Sequence, residues 1–354
     1  MKLFKNALSL IIISILLLHN IEISAYASPN ANSQNQVKIA VFLSNFNSPF
    51  ISSLKKDLEA VEKENKNRVL FTFFDSKGNE TIQNQNIDES FNQNFNLFVV
   101  DLVNSSTNFS QNALSKIFNH NIPLIVTLIP SDPIINYIRT YNRAVIIGAD
   151  DAQSGSIQGK ILTDTWNSNK EILDRNKDNV MQYIMLKGPI GDPSTPLRSK
   201  YCIQTINDEG IKTEELLSST CNWNKDCARD DIQSSLLNLY SRIEVIISNN
   251  DAMAIGAIEA LQKYGFNKGG NSRCIPVVGV DAIPESRKLI DQGFMTGTVI
   301  QNTRAYADAI HSVGLNLISG AQPLSHTNYE FDGTGPIIKL PFHEYIKNNN
   351  FLFS

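Results

Sequence analysis

Short apolar runs, each followed by an amphipathic stretch, recur along the chain and restart once midway, and this rhythm restricts the fold more than any other feature. The first series opens with VKIAVFL (Val37 to Leu43), followed by SSLKKDLEAVEKEN (Ser52 to Asn65), which has helical spacing. VLFTFFD (Val69 to Asp75), LFVVDLV (Leu97 to Val103) and IPLIVTLI (Ile122 to Ile129) continue it, with polar helical stretches between. The second series runs through AVIIGAD (Ala144 to Asp150), NVMQYIMLKG (Asn179 to Gly188), IEVIISNND (Ile243 to Asp251) and IPVVGVD (Ile275 to Asp281). Continuous apolar runs, rather than alternating ones, mark strands buried on both faces of a parallel sheet. Strands alternating with helices therefore predict an α/β chain of two lobes with a cleft between them. Ligands of open α/β sheets sit at the carboxyl ends of the strands. Here those ends carry Asn47, Ser48, Asp101, Gly188, Asn249, Asn250, Asp251 and Asp281, a polar and acidic set suited to a hydroxylated ligand.

The 354 residues carry a formal net charge of -4, and no basic stripe tracks a phosphate backbone, so nucleic acid is not an expected partner. The N-terminus reads as an export signal. Lys2 and Lys5 precede the apolar run Ala7 to Leu18, and Ala25-Tyr26-Ala27 offers small residues for cleavage. That run is shorter than the roughly 20 residues that span a bilayer. Residues 1–27 are thus expected to be a cleaved signal peptide and residues 28–36 a polar tether; no Cys follows to form a lipobox. The expected location is the periplasm or cell envelope. Four cysteines follow, Cys202, Cys221, Cys227 and Cys274. Cys221 and Cys227 flank Trp223 and could clasp that loop, or all four could be buried thiols. No CxxC pair supports a thiolate metal site.

Asp174 to Gln182 reads DRNKDNVMQ, with side-chain oxygens at positions one, three, five and nine, as an EF-hand loop begins. The twelfth position is Met185, where such a loop needs a bidentate Glu. GSIQGK (Gly155 to Lys160) is one residue short of a P-loop and lacks the following Ser/Thr, so it is expected to open a helix whose glycines permit close packing. The His residues form no H-x-x-x-H or H-E-x-x-H, no G-x-S-x-G is present, and no nucleophile–base set can be nominated, so the chain is not expected to be an enzyme.

NNDAMAIGAIEAL (Asn249 to Leu261), PVVGVDAIPESRKLIDQGFMTGTV (Pro276 to Val299) and LKGPIGDPSTPLRSKY (Leu186 to Tyr201) resemble the periplasmic galactose/glucose-binding proteins of ABC transporters, within the ribose-binding-protein superfamily. The resemblance implies the type 1 periplasmic binding fold: two Rossmann-like lobes with parallel central sheets, joined by a three-strand hinge that closes on a sugar. The crossings would fall near Ala149, Ile300 and Ile337. The N-terminal lobe would then comprise 37–149 plus 301–336, and the C-terminal lobe 150–300 plus 337–354. It also implies a structural Ca²⁺ site on Asp174, Asn176, Asp178, the Val180 carbonyl and Gln182, completed by Glu244 from a distant strand. Ca²⁺ takes about 6–8 mixed oxygens, so that set is chemically coherent. Asn179 replaces the usual turn glycine, and Asn is the non-Gly residue best suited to the left-handed region.

For the sugar, the resemblance places stacking aromatics at Phe50 and Trp223 and polar contacts at Arg198, Asn250 and Asp281, with Arg198 neutralising Asp281. Elsewhere the chain departs from the family. Ser48, with Asn47 beside it, stands where the family has an aspartate, and Leu128 falls near a family asparagine. Asp192 and Ser194 replace a histidine and an aspartate, and Gln301 replaces an asparagine. An unmatched buried hydrogen bond costs about 1–3 kcal/mol, so the expected ligand is a monosaccharide or polyol outside the usual glucose/galactose preference. The implied partner is the membrane permease of an ABC transporter; the alternative is a chemoreceptor or sensor kinase served by a sugar-sensing module. The protein is expected to act as a monomer.

Overall fold

The computed structural model describes residues 36–66, 68–105, 108–269 and 273–347. The expected signal peptide, the tether up to residue 35 and the last seven residues lie outside the described residues. The chain divides into a short unit, Met1–Val37, and a body, Lys38–Ser354. The lobes, the cleft and both candidate sites lie in the body.

The first series of strands comprises β1 (Val37–Leu43), β2 (Val69–Asp75), β3 (Leu97–Asp101), β4 (Leu124–Thr127) and β5 (Ala144–Ala149). Between them run α1 (Pro49–Glu64), α2 (Glu80–Ser90), α3 (Asn108–Asn119) and α4 (Asp132–Ile138). The second series comprises β6 (Val180–Lys187), β7 (Lys212–Thr220), β8 (Val245–Ser248), β9 (Val277–Asp281) and β10 (Gly297–Ile300). Its helices are α5 (Asp151–Leu173), α6 (Ser194–Asp208), α7 (Lys225–Leu239), α8 (Asp251–Lys263) and α9 (Pro284–Asp291). After β10 come α10 (Thr303–Ser319), β11 (Ile337–Leu340) and β12 (His343–Ile346). Two six-stranded sheets result, ordered β11-β5-β4-β3-β1-β2 and β12-β10-β9-β8-β6-β7. The pairs β1–β3, β3–β4, β4–β5 and β5–β11 are parallel, as are β6–β7, β6–β8, β8–β9 and β9–β10; β10–β12 is antiparallel.

The apolar runs become central strands because helices cover both sheet faces. Ile39 to Leu43 and Leu97 to Val100 have no exposed surface, and each such side chain contributes about 1.5–3 kcal/mol by leaving water. Each lobe has its own core, one around Phe42, Phe98 and Val126, the other around Ile184, Ile246 and Met253. GSIQGK lies inside α5, as its glycines suggested. A Cβ on Gly155 would come 2.5 Å from the Arg198 carbonyl oxygen, and one on Gly159 would come 2.6 Å from that of Cys202. α5 and α6 therefore touch backbone to backbone, which fixes Arg198 over the start of α5.

The chain passes between sheets after Ala149, after Ile300 and after Leu340. The third passage differs from the expected Ile337. β11 pairs in parallel with β5 (Ile337↔Ile146 to Leu340↔Ala149), so residues 337–340 belong to the N-terminal lobe and only β12 joins the other sheet. The physical reason is burial: Ile337, Ile338 and Leu340 complete the edge of the first core, and Pro341 and Phe342 make the crossing. α10 returns to the first lobe, packing on α1 with Tyr306 and Ile310 fully buried.

Candidate functional site: an interlobe cleft and a carboxylate-rich loop

A cleft of about 710 Å³ opens between the carboxyl ends of the two sheets. Its wall includes all ten residues named from the sequence: Asn47, Ser48, Phe50, Asp192, Ser194, Arg198, Trp223, Asn250, Asp281 and Gln301. The first lobe supplies Asn47, Ser48 and Phe50 from the turn into α1. Ser48 occupies the cap position of that helix, ahead of Pro49 at its start, and makes no side-chain cap bond, which leaves its hydroxyl to the cleft. The Phe50 ring is braced from behind by Tyr306, edge to face at 5.9 Å and 82°. Leu128 lines the same wall with φ 64, a left-handed conformation rare for such a residue. Asp101, at the end of β3, also faces the cleft and accepts a hydrogen bond from the Ser44 amide at 2.9 Å. Burial pushes its pKa up to about 6, and the Asp192 charge on the opposite wall adds to the effect.

The second lobe is organised around Arg198, which is 5% exposed. Its Nε donates to Asp151 Oδ1 at 2.8 Å, its Nη1 to the Asn249 carbonyl at 2.8 Å, and its Nη2 to Gln301 Oε1 at 3.3 Å. The expected neutralisation of Asp281 is thus revised: the direct ion pair is with Asp151 at the start of α5, held there by the Gly155 contact, while Asp281 receives only the longer-range attraction of Arg198. Burial raises the Asp281 pKa well above the carboxylate range, against that attraction. Asp281 and Ala282 have φ 120 and 56, so the backbone at this wall is strained, as at many ligand clamps. Asn250 caps α8, its Oδ1 accepting from the Met253 amide at 3.0 Å. Its side chain is only 7% exposed and lines the cleft. Gln301 Nε2 donates to the Tyr306 hydroxyl at 3.1 Å, whereas the neighbouring Asn302 is consumed in capping α10. Trp223 stands at the far wall, with the Arg198 guanidinium carbon 5.7 Å from its ring centre.

Cys221 and Cys227 form a disulfide across the loop that carries Trp223, and Cys202 and Cys274 are free. Cys221, Cys227 and Asp231 group closely enough to ligate a metal, but the two sulfurs are bonded to each other.

The DRNKDNVMQ loop lies at the opposite end of β6 from the cleft, between the end of α5 and the strand. Glu244 does run beside it: its amide donates to the Gln182 carbonyl at 3.0 Å, one residue before the Tyr183↔Val245 pairing of β6 with β8. The Glu244 carboxylate accepts from the Arg175 and Gln182 amides at 2.9 and 3.0 Å. Asp174 accepts from the Asp178 and Asn179 amides, and the Asp178 amide also donates to Asn176 Oδ1. Gln182 Nε2 donates to Asp178 Oδ2 at 2.8 Å. Burial lifts the Glu244 pKa to about 7; the two amides oppose this, and the Asp174 and Asp178 charges add to it. Asn179 has φ 61, the left-handed turn expected of it. Gln182 Oε1 is buried without a hydrogen-bond partner. Three carboxylates, an amide oxygen and an orphaned buried carbonyl oxygen form a donor set suited to a hard cation such as Ca²⁺.

Asp151 was missed by sequence reading: as the first helical residue after a crossing it looks like any acidic helix start. Asp101 was visible as a strand-end carboxylate, without an expected role.

Two α/β lobes with a polar, aromatic-walled cleft at their strand ends define a solute-binding protein of the hinged type. The chain belongs to the periplasmic binding protein family, whose periplasmic binding protein domain matches residues 39–322. This is a family of non-enzymatic substrate-binding components of ABC transporters. The D-galactose/methyl-galactoside binding periplasmic protein MglB of Haemophilus influenzae is 31% identical over 328 residues, covering 92% of this chain and 94% of that protein. An ABC transporter solute binding protein from Bacillus halodurans with bound myo-inositol aligns with TM-score 0.70 at 20% identity, over 88% of this chain and 94% of that one. A periplasmic solute binding protein from Actinobacillus succinogenes with bound D-allose aligns with TM-score 0.72 at 17% identity, over 88% and 98%. At those identities the structural likeness concerns the fold. Among the described residues no helix is long and apolar enough to cross a membrane.

Proposed function

We propose that this protein captures a monosaccharide outside the cytoplasm and delivers it to the membrane permease of an ABC transporter, closing its two lobes over the sugar. The observation that carries this reading is the convergence of both lobes on one cleft. Phe50 and Trp223 offer flat apolar faces, and Arg198, Asn250 and Asp281 offer planar hydrogen-bonding groups around the same volume. The export signal read in residues 1–27 and the galactoside-binding relative support the compartment and the ligand class.

The hydroxyl contacts differ from those of the galactose/glucose-binding pattern at Ser48, Leu128, Asp192, Ser194 and Gln301, so the preferred sugar differs too. The loop Asp174 to Gln182 with Glu244 is read as a structural Ca²⁺ site. Asp174, Asn176, Asp178, Gln182 Oε1, Glu244 and the Val180 carbonyl would hold the ion. Bound there, it would screen three carboxylates and tie β6 to β8. The ion would lie at the opposite end of β6 from the cleft and touch none of its lining residues.

A thermal-shift screen of monosaccharides, polyols and disaccharides, with and without Ca²⁺ after chelation, tests both parts. The expected result is a rise in Tm with one monosaccharide or polyol, larger than with glucose or galactose. Chelation should separately cost about 3–4 kcal/mol, the linkage effect of an ion present at 100 to 1,000 times its Kd. A glucose or galactose shift exceeding all others would remove the altered specificity. An unchanged Tm in protein shown to be metal-free would remove the ion site.

A further inference from the structure

Trp223 reaches the cleft on a turn whose shape its own residues do not favour. Asn222 and Trp223 lie consecutively in the left-handed region, at φ 51 and 64. Asn tolerates that region, but for a bulky side chain it is an outlier. Something outside the two residues must hold them, and the turn is anchored at both ends. On one side the Cys221 amide donates to the Lys187 carbonyl at 2.9 Å, fastening it to the end of β6. On the other, the Cys227 amide donates to Asn224 Oδ1 at 2.9 Å and opens α7. That helix is pressed against α8, where a Cβ on Gly256 would come 2.1 Å from the Lys225 carbonyl oxygen. The disulfide joins these anchors, with Cα atoms 5.4 Å apart. The indole packs on the core of the second lobe and lies against Gly188, where any Cβ would come 2.2 Å from the ring, so the ring keeps this seat only while the turn delivers it there.

We infer that the Cys221–Cys227 disulfide is a positioning device for the ligand-stacking face of Trp223, making sugar affinity depend on the oxidised bridge. With the bridge intact, the ordering of the turn is complete before ligand arrives, and preorganisation of this kind raises affinity. With the bridge open, Asn222 and Trp223 relax to ordinary backbone conformations and the sugar must restore the turn. Opening takes two electrons and two protons: a dithiol gives two thiols at Cys221 and Cys227 and itself closes to a disulfide. Asp231 places a carboxylate oxygen 3.4 Å from the Cys221 sulfur and 4.0 Å from that of Cys227. It thus repels an attacking thiolate and disfavours the departing one, which keeps the bridge closed against casual exchange. This inference rests on the reading of the cleft as a monosaccharide site.

The test uses the full mature chain in three states: oxidised, reduced with dithiothreitol and confirmed by mass, and as the Cys221→Ser/Cys227→Ser variant without reductant. The first readout, in ligand-free protein, is acrylamide quenching of tryptophan emission. The Trp223→Phe variant identifies the Trp223 share, because Trp166 is buried in the core. The second readout is affinity for the best monosaccharide of the thermal-shift screen. Reduction and the double variant should each increase quenching of Trp223 and weaken binding about tenfold, with far-UV circular dichroism unchanged, and dithiothreitol should not further affect the double variant. Either quenching or affinity within twofold of the oxidised protein would overturn the inference. So would loss of the circular-dichroism signal, which would make the bridge a support of the whole fold. If the oxidised protein binds no sugar, the proposed function fails, while the quenching contrast still shows whether the bridge positions Trp223.

Discussion

Asp101 shows how much one buried carboxylate can matter in a cleft wall. It is 2% exposed, bonded to the Ser44 amide, and its pKa is pushed up to about 6 by burial, from an ordinary value of 3.8. The folded protein therefore holds a proton on Asp101 between about pH 4 and 6 that the unfolded chain has released. Stability from this group is full below the unfolded value and is lost as pH rises through about 6. Asp101→Asn should flatten that part of the stability profile and stabilise the protein at pH 7, by up to about 3 kcal/mol for a shift of two units. Urea unfolding from pH 4 to 8 checks this, and an unchanged slope in the variant would refute it. Asp251 titrates in the same window, also pushed up to about 6 by burial, so some slope remains in any case. Residue types at strand ends were legible from the sequence because a parallel sheet must end in its ligand-facing loops. The pairing of Arg198 with Asp151 was not, since it depends on how closely two helices approach.

That approach is a property of elements. α5 and α6 meet backbone to backbone at Gly155 and Gly159, and the first of these contacts carries Arg198. Gly155→Ala places a methyl group 2.5 Å from the Arg198 carbonyl oxygen, where the backbone cannot give way as a side chain would. Overpacking of this kind costs about 1–3 kcal/mol, and it should also tilt Arg198 away from Asp151 and weaken ligand binding. Thermal unfolding and a sugar titration on the same variant measure both effects. A variant as stable as the parent would show that the helices separate freely. Central strands such as β1 and β3 could be read directly because burial on both faces leaves an uninterrupted apolar run. β7 is not among the apolar runs, and the reason is visible in its exposure pattern: it is an edge strand, largely polar, at the border of its sheet. The pair β11 and β12 misled for a different reason. Two four-residue strands separated by Pro341 and Phe342 carry no sequence mark of which sheet each will join.

At the scale of the whole molecule, three passages between the sheets leave a cleft walled by both lobes, and its contents follow from that arrangement. Neither wall alone would enclose a sugar: Phe50 is fixed to the first lobe through Tyr306, whereas Trp223, Arg198 and Asn250 belong to the second. The two-lobed plan was legible because the α/β rhythm restarts in mid-chain. The resemblance supplied the cleft residues, and the fold gathers all ten of them on one wall-to-wall surface. The central claim is that a monosaccharide is held between these walls. Calorimetric titration of the parent protein, Phe50→Ala and Asn250→Ala with the same monosaccharide tests it most directly. The account predicts one sugar per chain for the parent and a loss of at least about tenfold in each variant, the effect of about 1.4 kcal/mol from either wall. Equal affinity in all three proteins, or no binding of any monosaccharide by the parent, would contradict it.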